Sequence, residues 1–331
     1  MKFLSLGGIN EHGRNCFLLQ GKNHQVLLDC GLGEEGEYPD FSLIDVRKID
    51  ALFLSHSHLD HVGALKKLVS LGFKGKVYLS KETYDCMSYH DFEHEFLFPC
   101  GVFSLYPWLR VKTFRSGHCF GSLCFLFEME DKKVVYTGDY LEDSIFVCDS
   151  LRDMEADLAI IDGAYQDDEN DMPLNKEKLI ELIVKQKKVI LPLPKNGRSA
   201  EVISLLSEHG ISYQLLSSFF REEEGIYLRK PIPIKSDSNS DVLLMDDPQL
   251  SKMESRRIVD EYKNHTLIFT GTIDEGSYAM ELMKNRKNTY FQRLNVHQRM
   301  KDAKRLASLN HFMNVICFHN GHTSEKMELE F

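Results

Sequence analysis

The chain has 331 residues, 43% of them hydrophobic and 27% charged, with a formal net charge of −10. That length and balance fit a soluble globular protein of one large or two modest domains, and no uninterrupted apolar stretch reaches the roughly 18 to 20 residues of a membrane span. The acidic surplus argues against a polyanionic partner for the surface as a whole.

The charge is uneven along the chain. Residues 1–165 carry 16 Lys and Arg against 25 Asp and Glu, a balance of −9, whereas 166–331 are close to neutral at −1. Within 284–305, eight basic residues, Arg293 and Lys301 among them, face Asp302 alone. A run of this kind is commonly a solvated face, but it brackets His297 and so also qualifies for contact with phosphate. The apolar part of 1–8 is too short for a secretory signal. Eight cysteines without a CxxC pair point to reduced thiols in a cytoplasm; Cys16, Cys124 and Cys317 lie in apolar runs and are expected in the core.

The first 165 residues read as β-rich with short connections. Segments 17–19 and 26–29 flank a Gly21-Lys22-Asn23 turn, the pattern of a hairpin. Residues 51–54 form an apolar strand that runs into His56-Ser57-His58-Leu59-Asp60-His61. Helices are predicted over 62–72 and 82–96, with strand 76–80 between them. A second hairpin, 123–128 with 134–137, turns at Glu130-Asp131-Lys132, and 158–162 is a buried strand ending in Asp162. After 165 the pattern alternates: helix 174–187, strand 188–193, helix 199–209, surface loop 235–241, helix 251–263, strand 266–270, helix 276–285. This is the signature of a parallel α/β unit. Helix 301–312 and strand 315–318 close the chain. The boundaries implied are 1–165 for the first part of a main domain, 166–289 for an inserted one, and 290–331 for the return.

Three imidazoles and a carboxylate within six residues have few structural uses. Imidazole and carboxylate are nitrogen and oxygen ligands of zinc, and such density can serve two ions. Two more candidates stand at loop ends: His118 after Ser116-Gly117, and Asp139 after Gly138, whose glycine permits an unusual turn. His56, His58 and His118 would hold one ion, Asp60 and His61 would begin a second, and Asp139 would bridge. His90 and His94 spell a separate HxxEH pattern, which on a helix would resemble a zinc peptidase; a polar helix face accounts for it better.

The HxHxDH motif followed by His118 and Asp139 resembles the metallo-β-lactamase superfamily. Gly7-Gly8 to Asn15-Cys16, with Leu28-Asp29-Cys30-Gly31, is most similar to its β-CASP branch of nucleic-acid nucleases, which includes ribonuclease J and the pre-mRNA 3′-end endonuclease. In that branch Asp29 corresponds to a buried carboxylate that props up the metal loop, and Asp162 matches motif A. Leu191-Pro192-Leu193-Pro194 with Gly197-Arg198-Ser199-Ala200-Glu201 resembles its proline strand and Gly-Arg-x-x-Glu helix start. Phe269-Thr270-Gly271-Thr272 resembles its Thr-Gly element, and His297 and His319 match motifs B and C. Two departures stand out. Motif B reads Asn295-Val296-His297 where Ser-Ala-His or Ser-Gly-His is usual. Motif C reads His319-Asn320-Gly321-His322 where His-Gly-Glu is usual; His319, directly after its strand, is favoured as the last ligand of the second ion over His322. The insert is short for the branch, and the branch's extra tails are not expected.

The resemblance covers nearly the whole chain. It implies an αββα sandwich with a smaller inserted α/β domain, two divalent ions (zinc, with manganese also suited) and hydrolysis of a phosphodiester, RNA above all. Asp60 would orient the nucleophile, His297 would protonate the leaving oxygen beside Asp162, and Arg198, Arg293 and Lys301 would contact the backbone. The alternatives are a hydrolase of a small ester, thioester or lactone on the same metal site, and a non-catalytic partner subunit, which the full ligand set opposes.

Overall fold

The structure is a computed structural model that describes residues 1–165, 169, 172–217, 228–229, 236–321 and 327–331. It divides into two units, one of Met1–Glu142, Phe146–Asp168 and His297–Phe331, the other of Asp143–Ile145 and Glu169–Val296.

In the first unit the strands alternate between two apolar faces, as a sheet covered on both sides requires. Val26, Leu28 and Phe53 enter one cluster, while Leu27, Leu52 and Leu54 enter another. Seven strands form the first sheet in the order Glu328–Glu330, Lys2–Gly7, Cys16–Gln20, Gln25–Leu28, Ala51–Phe53, Lys76–Leu79, His94–Phe96. Six form the second: Val315–Phe318, Leu158–Asp162, Lys132–Tyr136, Leu123–Met129, Leu109–Arg115, Val102–Tyr106. The two inner faces share one core that includes Phe3, Phe17, Phe53, Phe125, Phe127, Tyr136 and Phe318. Its rings meet edge-on, Phe53 against Phe127 at 4.9 Å and Phe17 against Phe318 at 5.3 Å, the geometry that aromatic quadrupoles favour. Outside the first sheet lie Leu65 and Leu68 of the helix Leu65–Ser70, and outside the second lie Ala303 and Leu306 of the helix Met300–Ser308. Helix, sheet, sheet, helix is the αββα sandwich. Cys16, Cys124 and Cys317 are core residues in it.

Both expected hairpins form, Cys16–Gln20 with Gln25–Leu28 and Leu123–Met129 with Lys132–Tyr136. Several expected helices come out shorter or split, 251–263 as Met253–Glu261 among them. The helix over 62–72 is split into Leu59–Val62 and Leu65–Ser70. Helix 82–96 is only Lys81–Cys86, capped by the Ser80 hydroxyl, and it stops where Met87 turns extended. Beyond it the aromatic side chains pack on Tyr84, His94 stacking at 4.4 Å and Phe96 edge-on at 5.4 Å, and His94–Phe96 gains ladder bonds as a strand beside Lys76–Leu79. The HxxEH residues are thus not on a helix, and among the described residues neither His90 nor His94 belongs to a metal-type cluster. Helix 301–312 ends at Ser308 because the Asn310 side chain takes over two carbonyls, those of Leu306 and Leu151; His311–Phe312 then pairs as a short strand with Glu155–Ala156.

The second unit holds a five-stranded parallel sheet in the order Gln214–Leu215, Val242–Met245, Val189–Pro192, Thr266–Phe269, Thr289–Phe291. The helices Met172–Gln186, Arg198–Glu208, Met253–Glu261 and Tyr278–Asn285 alternate with the strands. This unit runs to residue 296 rather than 289, because Thr289–Phe291 pairs with the strand Thr266–Phe269 as its edge. No described helix is long and apolar enough to cross a membrane.

Phe53 is fully buried where the two sheets meet, so Phe53→Ala should destabilise the first unit by about 3–5 kcal/mol. Urea unfolding followed by the fluorescence of Trp108 measures it: this is the chain's single tryptophan, stacked on His24 in that unit at 3.9 Å.

Candidate metal centre

The ligand loop hangs on Asp29. This residue follows the strand Gln25–Leu28 with φ of 56°, which points its carboxylate into the sandwich. There it accepts from Ser55 N, Ser55 Oγ and His61 Nδ1, each at 2.7 Å, and from the Tyr136 hydroxyl. Loop and strand also bond directly, Cys30 N to His61 O at 2.7 Å. The approach is so close that a Cβ at Gly31 would lie 1.6 Å from the Asp60 carbonyl, which only glycine avoids. The remaining residues sit at strand ends of the second sheet. Asp139 follows Lys132–Tyr136, Asp162 ends Leu158–Asp162, His319 follows Val315–Phe318, and His118 lies in the turn after Leu109–Arg115.

Asp139 stands at the middle. Its Oδ2 is 3.3 Å from His56 Nε2 and 3.3 Å from His118 Nε2, and His58 Nδ1 is 3.1 Å from His118 Nε2. Its Oδ1 faces the other way, 3.1 Å from His61 Nε2 and 3.3 Å from His319 Nδ1. Asp60 Oδ2 closes that second group at 3.5 Å from His61 Nε2 and 3.4 Å from His319 Nε2. In each foursome the donor atoms lie within 4.8 Å of one another. His56 Nε2, both Asp139 oxygens and His319 Nδ1 are buried and lack a hydrogen-bond partner. A buried polar atom left unsatisfied costs about 1–3 kcal/mol. Four such atoms converging on two points, all nitrogen or oxygen, fit divalent cations.

The protonation pattern separates the two groups. Burial, then the neighbouring His56, pushes His58 down to about 3, and burial lowers His56 and His118 too. These three are neutral imidazoles, the form that ligates. Burial works against charge on His61 and His319 as well, but carboxylates outweigh it. Asp139, Asp60 and Asp29 raise His61, and Asp139 with Asp60 pushes His319 up to about 9. Burial would raise Asp139, yet the imidazoles of His61, His297 and His56 hold it well below the usual carboxylate range.

A third group joins the first two, because Asp162 and His297 share Asp139 and His319. Asp162 is fully buried and pinned by Tyr140 N at 3.1 Å and Ala164 N at 3.0 Å. His297 turns Nδ1 to it at 3.1 Å, with Asp139 Oδ2 at 3.6 Å. His322 lies outside the described residues.

The basic residues expected at the backbone are distributed differently. Lys301 is exposed in the first turn of Met300–Ser308. Arg198 and Arg293 belong to the second unit. There Arg198 Nε donates to the Leu294 carbonyl at 2.9 Å, and the Arg293 guanidinium lies 5.9 Å from the Phe291 ring centre. Within the basic run, Arg286 bonds the carbonyls of Tyr262, Lys263 and His265, and Arg299 pairs with Asp302. Ser55, Tyr136 and Asn15 were not singled out by the sequence. Asn15 Nδ2 lies 2.9 Å from His61 Nε2, and only its place beside the Gly7-Gly8 segment hinted at it.

Asp29→Ala strips a shared acceptor from Ser55, His61 and Tyr136. It should lower metal affinity about 10–100-fold and cost roughly 3–5 kcal/mol of stability, read by metal titration and by melting. The His319 imidazole, at about 9 in the fold against its ordinary 6.5, favours the metal-free folded state below pH 6.5, and that gain is lost as pH rises through 9. Metal must displace the same proton. Between pH 6.5 and 9 the melting temperature of chelator-treated protein should therefore fall while metal affinity rises; parallel trends would contradict this.

The metallo-β-lactamase superfamily model matches residues 9–104. An RNase J-like protein of Methanocaldococcus jannaschii is 27% identical over 239 residues, 61% of this chain and 53% of that protein. The transcription termination factor FttA of Methanothermobacter thermautotrophicus is 24% identical over 86% of this chain and 54% of its own. The endoribonuclease YSH1 of Saccharomyces cerevisiae is 27% identical over 63% of this chain and 32% of its own. The chain thus spans about a third to a half of the length of these relatives. A protein of unknown function from Enterococcus faecalis V583 shares the fold, with a TM-score of 0.63 over 97% of this chain and 94% of that one at 14% identity. The metallo-β-lactamase match over residues 9–104 and these relatives together support a place in that superfamily's β-CASP branch.

Proposed function

We propose that this protein is a metal-dependent phosphodiester hydrolase that cleaves RNA. The observation that carries the reading is the Asp139 carboxylate, whose two oxygens face separate ligand groups, with the Asp162–His297 pair beside it. In this reading His56, His58, His118 and Asp139 hold one divalent ion, and Asp60, His61, Asp139 and His319 hold the other. The imidazole-rich set favours zinc, and manganese accepts the same ligands. Bound ions supply Lewis-acid charge for the phosphoryl oxygens and a nucleophile active at neutral pH.

The chain's own groups do the rest. Asp162, fixed by two backbone amides, holds the His297 ring through Nδ1 and so fixes its orientation. The opposite nitrogen, Nε2, carries the proton for the leaving ribose oxygen, a transfer that contributes about 10²–10⁴-fold. Asp60, the one partly exposed member of its own group of four, orients the attacking oxygen. Lys301 and Arg293 offer cations to the RNA backbone, whereas Arg198 braces its own unit through the Leu294 carbonyl. All eight cysteines are unbridged, which supports a reducing, cytoplasmic setting. The names of the relatives, an RNase J-like protein and an endoribonuclease, support RNA as substrate.

Metal-loaded protein should cleave end-labelled single-stranded RNA, lose this activity to a chelator and regain it with zinc or manganese. His297→Ala should lower turnover by at least 10² with metal content unchanged at two ions per chain. Loss of metal in that variant would move His297 into the ligand set. Turnover of thioester or lactone substrates with RNA untouched would replace the reading.

A further inference from the structure

The loop joining the strands Lys2–Gly7 and Cys16–Gln20 lies against the centre. His319 N donates to the Gly8 carbonyl at 2.8 Å, and Asn15 reaches His61. Between these anchors the loop is braced by its own charges. One Glu11 carboxylate accepts from Gly8 N at 2.8 Å and from Arg14 Nε and Nη2, each at 2.9 Å. His12 sits inside this clamp. It is exposed, and its ring is 5.9 Å from the His319 ring at 68°. It belongs to none of the metal-type groups. Phe318 and Tyr165 are other rings packed against the His297–His319 pair, but Phe318 is fully buried and Tyr165 half-buried. His12 offers an open face.

An aromatic ring held at a fixed angle beside a phosphodiester site, on a loop that cannot collapse, is a stacking platform for an unpaired base. We propose that His12 stacks on the nucleobase of a nucleotide adjoining the scissile phosphate and so positions single-stranded RNA on the centre. This inference rests on the RNA-cleaving reading above. It assigns His12 neither proton transfer nor metal binding, so a neutral aromatic side chain should replace it.

The test crosses protein and substrate variants. Wild type, His12→Ala and His12→Phe, each metal-loaded with metal content measured, are assayed on one single-stranded RNA and on copies carrying one abasic residue on either side of the cleaved bond. His12→Ala should lower kcat/KM on intact RNA by roughly tenfold or more, and His12→Phe should recover most of it. On one of the two abasic substrates, wild type and His12→Ala should agree within about twofold. In the His297→Ala background, fluorescence anisotropy should show the same pattern in RNA affinity. An equal loss on intact and both abasic substrates, or no recovery with Phe, would overturn the stacking role. So would His12→Ala matching wild type on intact RNA. Wild type that leaves RNA uncut would instead sink the RNA-cleaving reading, and the inference with it.

Discussion

One buried carboxylate ties the sandwich to its centre. Asp29 leaves the first sheet, Tyr136 comes from the second, and Ser55 and His61 belong to the ligand loop between them. An unpaired carboxylate at that depth would cost several kcal/mol in desolvation. Four donors offset it. The same bond fixes His61 Nδ1, so Nε2 is the nitrogen turned to Asp139. Packing of the two sheets and orientation of a ligand are therefore one interaction.

The centre itself is the opposite case. Around Asp139 the fold buries four atoms with no hydrogen-bond partner; burial and the neighbouring His56 push His58 down to about 3, while Asp139 and Asp60 outweigh burial and push His319 up to about 9. Among the described residues nothing resolves these opposed demands. Proteins accept such local conflict where a site must be pre-organised for something else. Cations satisfy the orphaned atoms and the carboxylate charge together, which is why these side chains can be held so close around Asp139.

Much of this was legible in the sequence, for a physical reason. Strands covered on both faces read as apolar runs, and the centre's residues sit at their ends: Asp139, Asp162 and His319 each close or follow one. Ligand types packed into six residues need no long-range information to recognise. What was not legible depended on contacts distant in the chain. Helix 82–96 failed because residues 92–96 find Tyr84 and a sheet edge, and helix 301–312 because Asn310 finds Leu151, 159 residues away. The basic run read as one stripe, but Arg286 and Arg299 are bound to carbonyls and to Asp302. Charge in sequence does not reveal which cations are already engaged.

The two departures from the family's motifs fall on residues whose work is local. Asn295 stands where the family has serine. It belongs to the second unit, where its side-chain Oδ1 accepts from Nδ2 of the buried Asn175 at 2.6 Å. His297 is held from the other side. Gln298 donates to the Asp162 carbonyl at 2.7 Å and to the Tyr140 carbonyl at 2.9 Å, and Arg299 caps the helix that follows. The residue two places before the histidine can therefore change while the His297–Asp162 pair keeps its geometry. At the other motif, His319 adopts φ of 63° and is tied to Gly8, while Asn320 is fully buried with its amide 3.5 Å from the Phe318 carbonyl. Backbone placement, rather than the next side chain, aims the imidazole, and this is why His-Asn can stand where the family has His-Gly.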